Sequence, residues 1–209
     1  MQKSLFKAHD NKPFSKIHYL GNGTVHEYPE LFLPDEADKY LKQLWQECPW
    51  SHDEIQIAGK TIPIPRLQCW MGDPGAIYTY SGINLKRNEW SEAVLRLKRI
   101  AEKLTSKKLN SVLINCYRDG YDSVSWHADD EKELGDDPLI ASFSFGSQRK
   151  FQIKPKEKSD QRRFMFSLNH GSVIVMTDGF QKHWLHQVPK EPKIKSLRIN
   201  LTFRYILIK

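Results

Sequence analysis

The sequence predicts an α+β fold in which two amphipathic helices buttress an antiparallel β sandwich or jelly roll. Three observations carry this: helical periodicity confined to residues 34–48 and 90–104, a change to period-two alternation from Ser111 onward, and several short strand candidates there with no helix between them. At 209 residues, 39% apolar and 27% charged, the chain suits one compact domain spanning 1–209, and composition excludes a disordered or fibrous protein.

From Pro34, apolar residues recur at Ala37, Tyr40, Leu41, Leu44, Trp45 and Cys48, a helical stripe that Pro49 ends. A second stripe, Trp90, Ala93, Val94, Leu97, Ala101 and Leu104, is expected to pack across the outside of a sheet. Residues 51–85 break into irregular pieces rich in Ile, Tyr, Gly and Pro, a segment suited to a substrate lid. Strands are expected at 111–118, 139–145, 149–154, 163–167, 172–177, 183–188 and 196–208.

No stretch reaches the ~20 apolar residues of a membrane helix, and the first residues lack the apolar core of a secretory signal, so an intracellular protein without membrane partners is expected. Cys48, Cys69 and Cys116 are odd in number and lack CxxC spacing, which argues for reduced thiols. The net charge of +7 suits either a polyanionic partner or an ordinary solvated surface. Basic residues crowd at Arg149, Lys150, Lys154, Lys156, Lys158, Arg162 and Arg163, and again at Lys190, Lys193 and Lys195, in segments that read as hairpin tips.

In DSVSWHAD, His127 and Asp129 lie two residues apart, so on an extended backbone both project to one face and one metal reaches both. The third ligand has to come from elsewhere in the sequence, and the candidates are His183 and His186 in HWLHQVP, which would point to opposite faces of a strand, so at most one belongs to the site. Two imidazoles and one carboxylate leave adjacent iron positions open for a chelating cofactor and dioxygen. In the last strand Arg198, Asn200, Thr202 and Arg204 share one face, and two guanidinium forks on one face suit a dicarboxylate. Asn115 and Tyr117 likewise share a face and offer neutral hydrogen bonds.

These residues, with PRLQCWMGDPGAIYTYSG, LINCYRDGYDSVSWHADDEKELG, IASFSFGSQRKF, the HGS turn at His170, HWLHQVP and RINLTFR, resemble the AlkB-type Fe(II)/2-oxoglutarate-dependent dioxygenases that repair alkylated nucleic acid, above all their vertebrate nuclear, duplex-acting branch. The resemblance runs from about residue 64 to 208. It implies a double-stranded β-helix core over about 111–208, a nucleotide-recognition lid at about 51–85, and His127, Asp129 and His186 as iron ligands. It also implies 2-oxoglutarate held by Asn115, Tyr117, Arg198, Asn200, Thr202 and Arg204, and dioxygen as co-substrate. Tyr78 and Tyr80 would form the lesion pocket with Asp130 as its acidic contact, the base lying between Tyr80 and His127. The activity so implied is oxidative demethylation of 1-methyladenine and 3-methylcytosine in DNA, with release of formaldehyde. A methylated ring nitrogen makes these bases cationic and unable to pair, so an aromatic, acidic pocket selects them and flipping is cheap.

Two departures bear on the substrate. Ile57-Ala-Gly-Lys60 stands where the duplex-acting relative has an aromatic finger, and PKEPKIK inserts Glu191 and Pro192 into a basic loop, so single-stranded DNA is expected to be favoured. The same chemistry on RNA or on a protein side chain, or a non-catalytic nucleic-acid-binding module, are the alternatives. A monomer in bacterial cytoplasm or eukaryotic nucleus is expected.

Overall fold

In the computed structural model of the chain, residues 13–57, 60–80 and 83–208 are described, the side chains of 55–57, 80, 83 and 84 excepted. Along the chain come strands β1 (Lys16–Tyr19) and β2 (Thr24–Tyr28), helix α1 (Pro34–Glu47), strands β3 (Glu54–Ile57), β4 (Lys60–Pro63), β5 (Leu67–Gly72), β6 (Thr79–Tyr80) and β7 (Ile83–Asn84), and helix α2 (Glu92–Thr105). Then follow β8 (Ser111–Tyr117), β9 (Val124–His127), a 3-10 turn at Lys132–Leu134, β10 (Ile140–Gly146), β11 (Arg149–Pro155), β12 (Phe164–Leu168), β13 (Ser172–Thr177), the one-turn helix α3 (Phe180–His183), β14 (Trp184–Val188) and β15 (Arg198–Arg204). A seven-stranded sheet in the order β1-β2-β13-β10-β15-β8-β5 faces a four-stranded sheet, β12-β11-β14-β9, and both are antiparallel throughout. The family-level expectation of a jelly roll over antiparallel sheets matches this arrangement.

Both helices form where the periodicity places them. Pro34 opens α1 with its φ already helical, and Asp35 and Glu36 complement the positive end of the helix dipole. Ala37, Tyr40 and Leu44 are buried, while Trp45 turns outward from the predicted stripe and lies 6.1 Å from the Trp50 ring. Ser91 caps α2 by accepting the Val94 amide at 3.4 Å, so the helix begins after Trp90, whose indole instead donates to Asp73 at 2.8 Å. One core cluster fills the space between the helices and the outer face of the large sheet, joining Leu44, Leu97, Ile114, Phe143, Leu201 and Phe203. A second lies between the sheets, around Tyr117, Ile140, Phe151, Ile153, Met176 and Trp184.

The alternation in β15 decides what lies inside the sandwich. Ile199, Leu201 and Phe203 join the helix-side core, so Arg198, Asn200 and Arg204 point between the sheets and are buried there. The register sets Asn200 opposite Asn115 on one flank and Ser144 on the other, and Arg198 opposite Tyr117.

Three expectations need correction. The segment 51–85 is not one lid: Leu67–Gly72 is the buried edge strand of the large sheet, pairing β8 from Leu67↔Cys116 to Gly72↔Ser111, and only the β3–β4 and β6–β7 pairs stand apart. Its apolar run reads as irregular because the neighbouring prolines and glycines mask a short strand. The β-core is also not confined to 111–208, since β1 and β2 complete the large sheet, β2 pairing β13. The strand expected at 183–188 starts at Trp184, because His183 ends α3.

The loop after β8 is tied to the loop after β14. Gly120 donates to Ile194 O at 2.9 Å and accepts from the Glu191 amide at 2.7 Å. Fully buried Arg149 donates to the carbonyls of Asp119, Asp122 and Pro189 and to the Glu191 carboxylate at 3.2 Å. Arg149 is therefore an internal staple and not part of a basic hairpin tip. A Cβ on Gly120 would sit 1.8 Å from the Glu191 carbonyl oxygen, which only a backbone shift relieves. Gly120→Ala should destabilise the fold by about 1–3 kcal/mol, the usual cost of overpacking. Chemical denaturation would show this as a lower midpoint, and an unchanged midpoint would contradict it.

Candidate functional site

The site is built where the small sheet's inner face meets the polar face of β15. His127 ends β9 and pairs in register with His186 of β14, so two neighbouring strands present imidazoles side by side, their ring centroids 4.2 Å apart. Asp129 follows in the loop after β9, its carboxylate 3.8 Å from His127 Nε2. One donor atom from each of His127, Asp129 and His186 lies within 4.8 Å of the other two. His183, the other candidate from HWLHQVP, belongs to α3 and is outside this group.

The ring chemistry favours metal binding. His127 Nδ1 lies 2.8 Å from the Ser125 carbonyl, which can only accept, so Nδ1 carries the proton and Nε2 keeps its lone pair. Burial pushes the pKa of His127 down and that of His186 down to about 3, so both rings are neutral at pH 7. For Asp129, burial pushes the pKa up, but Arg204, His186 and His127 outweigh it and hold the carboxyl below its usual range. Two neutral imidazoles and an ionised carboxylate form the donor set that suits a non-haem ferrous ion with open positions.

A residue outside every sequence motif holds Asp129 in place. Gln181, fully buried in α3, accepts the Asp129 backbone N–H at 2.9 Å through its Oε1. No period or spacing flags it, because its partner lies 52 residues away in the sequence.

The guanidinium side faces the same cavity, which Asn115, Tyr117, His127, Asp129, His186 and Arg198 help to line. Arg198 is buried, with its guanidinium 5.1 Å from the Tyr117 ring centroid and Nη2 donating to Ser144 Oγ at 2.9 Å. Its Nε and Nη1 are buried without a hydrogen-bond partner among the described residues. Burial pushes Arg198 down to about 10, which leaves it charged at pH 7. Orphaned N–H groups on a buried cation cost ~1–3 kcal/mol each, so this guanidinium fits an absent anion and not a finished internal network. Asn200 donates to Ser142 Oγ at 2.9 Å and to the Phe143 carbonyl at 2.7 Å. Asn115 Oδ1 accepts from Arg66 Nε at 2.8 Å and from Gln68 Nε2 at 3.0 Å, which orients its amide. Arg66 thus enters the site beside Asn115.

Arg204 works at the metal end. Its Nη2 lies 3.6 Å from Asp129 and donates to Thr202 Oγ1 at 2.5 Å, and its Nη1 bonds the Tyr78 hydroxyl. Tyr78 is buried, so it braces Arg204 and does not wall an open pocket. Tyr80 lies in β6, and its side chain is outside the described residues, as are Ala58 and Gly59. Asp130 points outward, its carboxylate 2.7 Å from Lys156 Nζ. Its neighbour Glu131 turns inward to the Tyr78 hydroxyl, with Oε2 buried and unpartnered among the described residues. Burial, and then the Asp129 charge, raise Glu131 to about 7.

The comparisons with known proteins agree with this geometry. Residues 24–204 match the model of the 2OG-Fe(II) oxygenase superfamily. The mouse alpha-ketoglutarate-dependent dioxygenase alkB homolog 3 is 41% identical over 187 residues, covering 86% of this chain, which spans 65% of that relative's length. The human DNA oxidative demethylase ALKBH2 is 36% identical over 200 residues, 91% of this chain and 77% of the relative. The solved structure of OsALKBH1 superposes with a TM-score of 0.57 at 15% identity, covering 91% of this chain and all (100%) of that one, a likeness of fold. Fe(II) and 2-oxoglutarate, the cofactors that define the superfamily, fit the donor set and the unsatisfied guanidinium described above. The chain belongs to the 2OG-Fe(II) oxygenase superfamily and, within it, to the AlkB-type enzymes.

Proposed function

We propose that the protein demethylates alkylated bases in DNA, with 1-methyladenine and 3-methylcytosine as substrates and formaldehyde as a product. The observation that carries this reading is the convergence of His127, Asp129 and His186 in one buried cavity with the unsatisfied guanidinium of Arg198. It is supported by relatives named as DNA oxidative demethylases and dioxygenases.

In this reading His127, Asp129 and His186 would hold the iron, and the polar face of β15 would hold 2-oxoglutarate. Arg198, with Tyr117 and Ser144 beside it, would take one carboxylate, while Arg204 with Thr202 would serve the side nearer Asp129 and Asn115 and Asn200 would supply neutral contacts. When bound, iron and 2-oxoglutarate supply the oxidising power drawn from dioxygen. The chain's own work is positional: Gln181 fixes Asp129, Tyr78 fixes Arg204, and Ser125 fixes the His127 tautomer. The acidic contact to a cationic base falls to Glu131 and not Asp130, since Lys156 already neutralises Asp130 whereas Glu131 Oε2 is buried and without a hydrogen-bond partner among the described residues. A cation beside Glu131 would draw its raised pKa back down and hold it ionised. We place the single-strand preference on the small residues at 58–59, and the protein acts as a monomer.

With ferrous iron, ascorbate and 2-oxoglutarate, the protein should release formaldehyde from a methylated oligonucleotide, Asp129→Ala should abolish release, and His183→Ala should retain it. No release from the wild type, or loss with His183→Ala alone, would overturn the assignment. Arg198→Met should raise the KM for 2-oxoglutarate ten- to a hundred-fold, the worth of a charge-assisted contact of roughly 1.5–3 kcal/mol, with ferrous affinity unchanged. Because both imidazoles are neutral at pH 7, cobalt(II) binding should release almost no protons there. Calorimetric enthalpies measured in buffers of different ionisation heats should then coincide, and a slope near one proton would contradict the neutral-ring assignment.

A further inference from the structure

We infer that the edge of the small sheet carries a track for a single-stranded polynucleotide, made of Tyr121 with Lys195 and Trp126 with Lys154, leading along β9 to His127. This rests on the nucleic-acid reading above and adds where the strand runs. Lys154 Nζ lies 4.5 Å from the Trp126 ring centroid, and Lys195 Nζ lies 5.2 Å from that of exposed Tyr121. Neither ammonium forms an ion pair among the described residues, so each keeps its charge for a phosphate.

The neighbouring carboxylates are mostly engaged elsewhere. Asp122 is held by Arg118 at 2.8 Å, Asp130 by Lys156 at 2.7 Å, and Glu191 by buried Arg149 at 3.2 Å with Lys150 at 3.7 Å. Glu191, which in the sequence interrupts the basic loop, is thus folded inward and does not oppose a polyanion. Asp119 is the acidic residue left nearby, and it caps the Tyr121 amide at 2.8 Å. The outer side chains of β11 and β14 across the sheet are Lys150, Gln152, Lys154, Leu185 and Gln187, with no acid among them. The aromatic rings and ammonium groups together match a strand that stacks its bases and needs its phosphates neutralised, whereas a protein partner would call for a larger apolar patch.

Geometry sets the scale. Trp126 is the residue before His127, so its side chain lies on the face opposite the imidazole while sharing the same strand end. Tyr121 and Trp126 are five positions apart, a reach of at most ~18 Å, which is the span of a few nucleotides next to a flipped base. The loop bearing Lys195 cannot drift from Tyr121, because Gly120 and Ile194 are hydrogen-bonded at 2.9 Å.

The test is fluorescence anisotropy with a labelled, unmodified oligothymidylate, comparing wild type, Lys154→Glu/Lys195→Glu, Tyr121→Ala/Trp126→Ala and, as a charge-matched control on α1, Lys39→Glu/Lys42→Glu. Cobalt(II) affinity and the thermal midpoint of each variant report on folding. The track predicts at least a tenfold loss for both pairs on the sheet edge, little change for the α1 control, and a shallower salt dependence for the Lys154/Lys195 pair, by about 1.4 in the log–log slope for two lost phosphate contacts. Equal loss in the control, or unchanged binding in both track variants, would overturn the track while leaving formaldehyde release intact. Absence of any wild-type binding together with absence of formaldehyde release would instead remove the nucleic-acid reading beneath it.

Discussion

Two guanidinium groups sealed between β-sheets are the constraint from which the rest of this structure follows. Arg198 and Arg204 face inward because their strand neighbours Ile199, Leu201 and Phe203 must face the helices, and the period of a strand allows no compromise. A buried cation is costly unless it is paired. Arg204 is compensated by Asp129, Thr202 and the Tyr78 hydroxyl. Arg198 has one hydroxyl and one aromatic face, and its Nε and Nη1 have no hydrogen-bond partner among the described residues. On the proposed function fold and ligand are therefore energetically linked, since the apolar side of β15 stabilises the sheet while its polar side would be completed by the ligand.

The same linkage reaches the metal end. Arg204 keeps Asp129 ionised, and burial keeps the two imidazoles neutral, so the donor set is in its binding state before a metal arrives. Each donor has a supporting contact that comes from a different part of the chain. Ser125 sets the His127 tautomer from within β9, Gln181 fixes Asp129 from α3, and Phe151 lies 5.2 Å from the His186 ring centroid across the small sheet. Such support is what holds first contacts within the tolerance that catalysis needs.

Much of this was legible in the sequence because it is carried by short periods. The alternation of β15 separated Arg198, Asn200, Thr202 and Arg204 from their apolar neighbours, and the two-residue spacing of His127 and Asp129 put them on one side. Whether the polar face of β15 turned inward was not readable, since a solvated edge strand would show the same alternation. The choice between His183 and His186 was likewise open on spacing and fell to His186 once α3 ended at His183. Gln181, the inward turn of Glu131 and the burial of Arg149 depend on partners far along the chain, for which no local pattern exists. β1 and β2 leave no periodic signal, because strands of four and five residues carry too few apolar positions to register one.

Those two strands set the minimum folding unit. The Trp184 indole donates to the Asn22 carbonyl at 2.8 Å, and Leu20 and Val25 share an apolar cluster with Met176 and Trp184, two residues before His186. Trimming the chain back to the start of α1 would leave the middle of the sandwich wet beside the strand that carries His186. Any shortened version made for crystallisation or spectroscopy has to begin ahead of Lys16.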